Sequence, residues 1–143
     1  MSREELEQVD DRGIAAWNDH DTDAWVGLFA DDFVIYDWTV ADAIRDEEGA
    51  RQYFNAWKTA FPDMQVKQTN RVVGDDAVAS EVEFIGTNTG PMVMGGNEIP
   101  PTNKAVTGRG SYIGYVRDGK IVEFSSHPDV AGMMMQLGFM PQM

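Results

Sequence analysis

Apolar positions at the start of the chain fall at helical spacing. Leu6, Val9, Gly13, Ile14 and Trp17 predict an amphipathic helix over residues 3–18, with Ser2 placed to cap it. Asp21-Thr22-Asp23 supplies a second cap ahead of a short helix whose apolar stripe is Trp25, Leu28 and Phe29. Phe33–Trp38 is rich in β-branched and aromatic residues and reads as a strand. Helical period returns over 47–60 through Ala50, Tyr53, Phe54 and Trp57, and Phe61-Pro62-Asp63 ends that helix. Beyond it the pattern is β: strands over 64–73 and 77–87 flank the turn Gly74-Asp75-Asp76, and strands over 105–117 and 120–127 flank Asp118-Gly119. Residues 88–104, punctuated by Gly and Pro, read as a long loop, and residues 130–137 as a last amphipathic turn. Helices first and strands afterwards predict one α+β domain spanning 1–143, a curved antiparallel sheet packed on the N-terminal helices. A sheet curved that strongly forms a cone whose mouth can hold a small molecule.

Composition narrows the function classes. Lys and Arg total 11 against 24 Asp and Glu, a formal charge of −13, so a phosphate-rich surface would be repelled and neither nucleic acid nor an anionic membrane is an expected partner. The absence of cysteine excludes disulfides, thiolate metal sites and a cysteine nucleophile. The first residues lack a basic segment followed by an apolar run, and no stretch approaches membrane-spanning length, so a cytoplasmic location is the expectation. The Asp-rich, Lys-poor charge suits either a high-salt cytoplasm or a merely acidic protein.

Few residues carry candidate chemistry. Asp129 ends the last strand: desolvated against apolar neighbours it would become a usable base, whereas as the cap of the helix beginning at Val130 it would not. Asp37 lies in a strand, where Asp is unfavourable, and alternation puts it on the face of Phe33 and Ile35, opposite Tyr36 and Trp38. It therefore faces the cavity if Phe33 and Ile35 face the core. His127 could share a face with Asp129 and polarise a carbonyl or orient the acid, or stand exposed at a strand end. Arg109 could bind a carboxylate or ester carbonyl, or pair with one of the many acids. Trp38 and Trp57 are the aromatic residues best placed for a ligand, against a default of core packing. Asp19, Asp21 and Asp23 mimic the start of a calcium loop, but Ala24 and Ala30 stand where its Gly and Glu are required. The two histidines, His20 and His127, fit no spaced zinc set, so no metal is expected.

Taken in order, Trp17-Asn18-Asp19-His20-Asp21, Ala30-Asp31-Asp32-Phe33, Phe61-Pro62-Asp63-Met64 and Gly86-Thr87-Asn88-Thr89-Gly90 form a set of landmarks. Thr107-Gly108-Arg109, Asp118-Gly119-Lys120-Ile121-Val122-Glu123, and Asp129 ahead of Gln136-Leu137-Gly138 complete it. The set resembles the SnoaL-like polyketide cyclases, or ester cyclases, of the nuclear-transport-factor-2-like (NTF2-like) superfamily, over nearly the whole chain. The resemblance implies an NTF2-like cone and a cofactor-free intramolecular aldol cyclisation of a small apolar or aromatic carbonyl compound. It implies that Asp129 is the acid/base, and that Asp37 matches the proton-abstracting Asp of the related ketosteroid isomerases. His127 would assist, and Trp38 and Asn88 would shape the pocket; the family often has His where Asn88 stands. A homodimer through the sheet's outer face is expected on the same ground and because two-fold assembly is commonest. Two other readings stand beside it: a non-catalytic binding module using the same cavity, and an epoxide-type hydrolase whose Asp-Arg-Asp grouping would be Asp37, Arg109 and Asp129.

Overall fold

A computed structural model describes residues 1–94 and 96–141. Helix α1 (Arg3–Asn18) buries Leu6, Val9 and Ala16, and the short α2 (Thr22–Val26) buries Trp25 and Val26. Strand β1 (Phe29–Asp37) follows, then α3 (Glu47–Ala60), which buries Ala50, Phe54 and Ala60. Strands β2 (Gln65–Val73) and β3 (Ala77–Thr87) lead to a small hairpin of β4 (Met92–Met94) and β5 (Asn97–Ile99). Strands β6 (Ala105–Arg117) and β7 (Lys120–Pro128) and helix α4 (Val130–Leu137) complete the chain. Every helix starts the same way: Ser2, Asp21, Asp46 and Asp129 each accept a hydrogen bond from the backbone N–H three residues on, satisfying a donor that no helical carbonyl can reach.

The main sheet has the order β1-β7-β6-β3-β2. Four of its strands pair antiparallel, but β1 runs parallel to β7, with Asp37 opposite Ser126. The expectation of a wholly antiparallel sheet is corrected at this edge: hydrophobic alternation assigns a residue to a face of a strand and is blind to the strand's direction. Helices α1, α2 and α3 cover the concave face, and the core lies between them and the sheet, with Ile35, Phe54, Phe61 and Met64 all 0 % exposed.

A second correction concerns residues 88–104. The stretch carries the β4–β5 hairpin, in which Met92 pairs with Ile99 and Val93 with Glu98, where a plain loop was expected. The hairpin is anchored by Gly90, where a Cβ would lie 1.7 Å from the Thr59 carbonyl oxygen; only glycine allows that approach to the end of α3.

Candidate active site

Between the concave face and the helices lies a cavity of about 150 Å³. Its walls are largely aromatic and aliphatic, with Trp17, Trp25, Trp57, Phe84 and Phe124 among them. Alternation along β1 explains how a carboxylate enters such a place. Phe33 and Ile35 are buried in the core, so Asp37, two residues further, is turned inward as well and is 5 % exposed. Its Oδ1 accepts hydrogen bonds from the backbone N–H of Thr39 at 2.7 Å and from the Thr39 hydroxyl, and its Oδ2 accepts one from the Tyr53 hydroxyl of α3. Burial, and then the adjacent Asp37 charge, push the Tyr53 hydroxyl well above its ordinary value, so its proton stays on the phenol. Trp57, one helical turn after Tyr53, also lines the cavity.

Asp129 reaches the same cavity from the end of β7. Its Oδ1 caps α4 by accepting from Gly132 N–H at 2.9 Å, while its own N–H donates to the Arg109 carbonyl at 2.9 Å. Asp129 thus borders the cavity as an exposed helix cap and is not desolvated against apolar neighbours as a raised-pKa base would be, although its Oδ2 has no hydrogen-bond partner among the described residues. The Gln136-Leu137-Gly138 triplet holds this arrangement. The Gln136 carboxamide both accepts from Thr107 N–H (2.8 Å) and donates to Thr107 C=O (3.0 Å), as a neighbouring strand residue would. Leu137 is 2 % exposed, and Gly138 ends α4 in the left-handed conformation at φ 88°.

The other expected site residues divide. Arg109 borders the cavity beside Asp129, but it is exposed and, three residues before the inward-facing Tyr112, belongs to the outer face of β6; among the described residues it makes no ion pair with an acid. His127 and Trp38 are placed outside the cavity. Ser126 faces inward, so its neighbours along β7 face outward: His127 bonds the Ser125 hydroxyl at 2.9 Å and meets the Trp38 ring edge-on at 4.9 Å. Pro128 ends the strand, so period-two alternation does not carry from His127 to Asp129. Trp38 is 75 % exposed on the outer face. Asn88 is wholly buried but does not line the cavity; its carboxamide joins Ala60, Gly90 and Thr102.

The structure also assembles a polar group that the sequence reading missed. Strand register sets Asp37 (β1), Ser126 (β7), Tyr112 (β6), Ser80 (β3) and Arg71 (β2) abreast in one row across the sheet. Near the β2 end of that row the buried Asp10 of α1 accepts hydrogen bonds from the Tyr112 hydroxyl, from Gln68 at 2.8 Å and from Arg71 at 3.1 Å. One signal was available: Asp10 falls inside the apolar stripe of α1, between Leu6 and Ile14, where an acid must find partners.

A cone of bent sheet over helices, with the buried carboxylate of Asp37 on the wall of an apolar cavity, is an α+β domain of the ketosteroid isomerase-like, or NTF2-like, fold. The chain belongs to the SnoaL-like polyketide cyclase family, whose model matches residues 7–137. Among solved structures it is similar to IdmH of Streptomyces antibioticus, a candidate polyketide cyclase. The two share 28% identity over 93% of this chain and 98% of that one, with a TM-score of 0.77. It has the fold of AclR, a candidate hydroxylase of Streptomyces galilaeus, at 22% identity, 99% and 86% coverage and a TM-score of 0.85. It also has the fold of SalBIII, an epoxide hydrolase/cyclase-like enzyme of pyran ring formation in the polyether salinomycin. There the identity is 19%, the coverage 90% and 94%, and the TM-score 0.74. Curated protein sequences contain no significant match. No helix among the described residues is long and apolar enough to cross a membrane.

Proposed function

We propose that the chain is an acid/base enzyme that cyclises or isomerises a small carbonyl compound with side chains alone. The observation that carries this reading is that Asp129 and Asp37 line one apolar cavity. Asp129 is the proton acceptor, because one of its oxygens is free while those of Asp37 are held by Thr39 and Tyr53. In the cyclisation Asp129 Oδ2 takes a proton from a carbon between two carbonyls. The enolate carbon then bonds to a second carbonyl carbon of the same molecule. The resulting alkoxide takes the proton back from Asp129, so a hydroxyl forms and the carboxylate is restored. Asp37 fixes Tyr53, and Trp57 packs against the ligand.

One observation favours a second reading. Arg109 borders the cavity together with Asp37 and Asp129, the grouping an epoxide-type hydrolase would use if the carboxylates activate water, and its exposed guanidinium would have to turn in from the outer face of β6 to bind the opening oxygen.

The test is C–H exchange followed by NMR in heavy water with a panel of aromatic β-keto esters. Asp129→Asn is expected to slow exchange by roughly a hundredfold or more, the usual worth of a positioned base. Exchange that survives Asp129→Asn but is lost in Asp37→Asn would move the base to Asp37. Ligand-induced shifts without exchange in the wild type would reduce the protein to a binding module.

A further inference from the structure

We infer that the closed end of the cavity, floored by Gly114 of β6, is a subsite for an apolar tail of the ligand and sets how long a substrate can be. This rests on the proposed function, in which the reacting carbonyls lie at Asp129. It narrows the substrate to a carbonyl compound whose hydrocarbon end enters first.

The cavity has two unlike ends. At one, Arg109 and Asp129 are exposed and Gly108 is half-buried, so this end opens to solvent. At the other, the lining residues Leu6, Val78, Val116 and Ile121 are all buried, so that end is closed and apolar. Strand β6 runs from one to the other, and its inward positions are Val106, Gly108, Gly110, Tyr112, Gly114 and Val116. Strand register puts the chemistry in order along it. Asp129 N–H bonds the Arg109 carbonyl at the open end, and Tyr112 stands midway, level with Ser126 and Asp37. Gly114 lies beyond that row, between Val78 and Phe124. At about 3.4 Å per residue, Gly114 is roughly 7 Å deeper than Tyr112 and roughly 17 Å from Arg109.

Glycine weakens a strand interior, so each one in the wall needs a reason. Gly110 has one in the packing, because a Cβ there would lie 3.2 Å from the Pro128 Cα where β7 passes. Gly114 has none: its φ is not positive, and a Cβ built there meets nothing within 4 Å. Alanine would fit, yet the wall forgoes a side chain at the one place where no other part of the chain takes up the space. A hydrocarbon end seated there would meet apolar surface on every flank named above. A second, separate observation concerns the rest of the ligand. Trp17 borders the same cavity, and its Nε1 is buried with no hydrogen-bond partner among the described residues. An indole N–H only donates, so it suits an oxygen acceptor on the ligand. The cavity thus matches a molecule with carbonyl oxygens on one part and hydrocarbon at its leading end.

The experiment uses the methyl 3-oxoalkanoates, whose β-keto ester head is constant while the alkyl tail lengthens, with binding read by isothermal titration calorimetry. In the wild type, affinity is expected to rise about fourfold per methylene while the tail is being buried, then to level off at the closed end. Gly114→Val is expected to bring the plateau at least one methylene earlier and to leave the shortest members unchanged. Gly114→Ala should shift it less while raising the urea midpoint, because the substitution is uncrowded and removes only unfolded-state freedom. That variant keeps the test decisive if the valine protein does not fold. A plateau at the same tail length in the wild type and the variants would overturn the inference. So would equal weakening of short and long members, a lowered urea midpoint in Gly114→Ala, or no binding of any member. The readout needs no turnover: a length limit that moves with Gly114 in the absence of C–H exchange would defeat the proposed reaction and leave this subsite standing.

Discussion

Asn88 offers a sharp test of what its neighbourhood is for. Its side chain is fully buried, and its carboxamide nitrogen donates to the carbonyls of Ala60 (3.0 Å) and Gly90 (2.9 Å). The carboxamide oxygen accepts from the Thr102 N–H and the Thr102 hydroxyl, both at 2.9 Å. One side chain thus joins the end of α3, the turn before β4 and the segment after β5. Asn88→Ala removes four hydrogen bonds at a net worth of about 1 kcal/mol each, and the groups left buried without a partner add to the loss. The expected destabilisation is about 4 kcal/mol, a large share of the roughly 5–15 kcal/mol that holds a domain together. In urea melts, with a slope of about 2 kcal/mol/M for a domain of this size, the midpoint should fall by about 2 M at unchanged slope. Asn88→Asp should be at least as damaging, because it keeps the acceptor but turns a carboxylate oxygen towards two carbonyls. A loss below about 1 kcal/mol in Asn88→Ala would refute the account, and a change in ligand preference without loss of stability would return Asn88 to the pocket.

Alkaline pH should weaken the fold in a defined way. Tyr53 and Tyr112 are both held above the ordinary tyrosine value of 10.0, by burial first and then by Asp37 and Asp10 respectively. The unfolded chain releases these protons near that ordinary value while the folded chain keeps them. Their stabilising contribution is therefore full below about pH 10 and falls above it, by up to about 1.4 kcal/mol per pH unit for each tyrosine. Urea melts at rising pH should show this decline, Tyr112→Phe should halve it, and a flat profile would contradict the assignment. Gln136→Ala, which loses both bonds to Thr107, should cost about 1–3 kcal/mol. It should speed amide hydrogen exchange in α4 while leaving α3 unaltered; equal protection of α4 in both proteins would show that Gln136 does not hold it.

Much of this fold can be read from local pattern. The boundaries of α1, α3, α4, β3 and β6 follow the helical and alternating periods, because capping residues and turn residues act within three or four positions of themselves. The inward turn of Asp37 is legible for the same reason: its face is set by Phe33 and Ile35, four and two residues away. What stayed hidden depends on residues far apart. The parallel pairing of β1 with β7, and the row from Asp37 to Arg71, arise from register between strands, which no window of sequence contains. Trp38 and His127 lie outside the cavity: alternation already sets Trp38 opposite Asp37, and Pro128 ends β7 between His127 and Asp129, so the face predicted to be shared by that pair does not form. The β4–β5 hairpin escaped notice because three-residue strands are too short to display a period.

The union of β1 with β7 has a bearing on when the protein becomes itself. Asp37 meets Ser126 across nearly ninety intervening residues, so closing that loop is entropically costly and comes only after nearer contacts exist to offset it. The hairpins β2–β3 and β6–β7 and the first two helices can assemble from neighbours, but the wall that carries Asp37 cannot. During synthesis, a chain that has not yet delivered residue 128 can hold most of its secondary structure and still have no enclosed chamber. Until then the aromatic lining is open to water and to other chains, and the interval before β7 emerges is the one in which this domain is most exposed to mispairing.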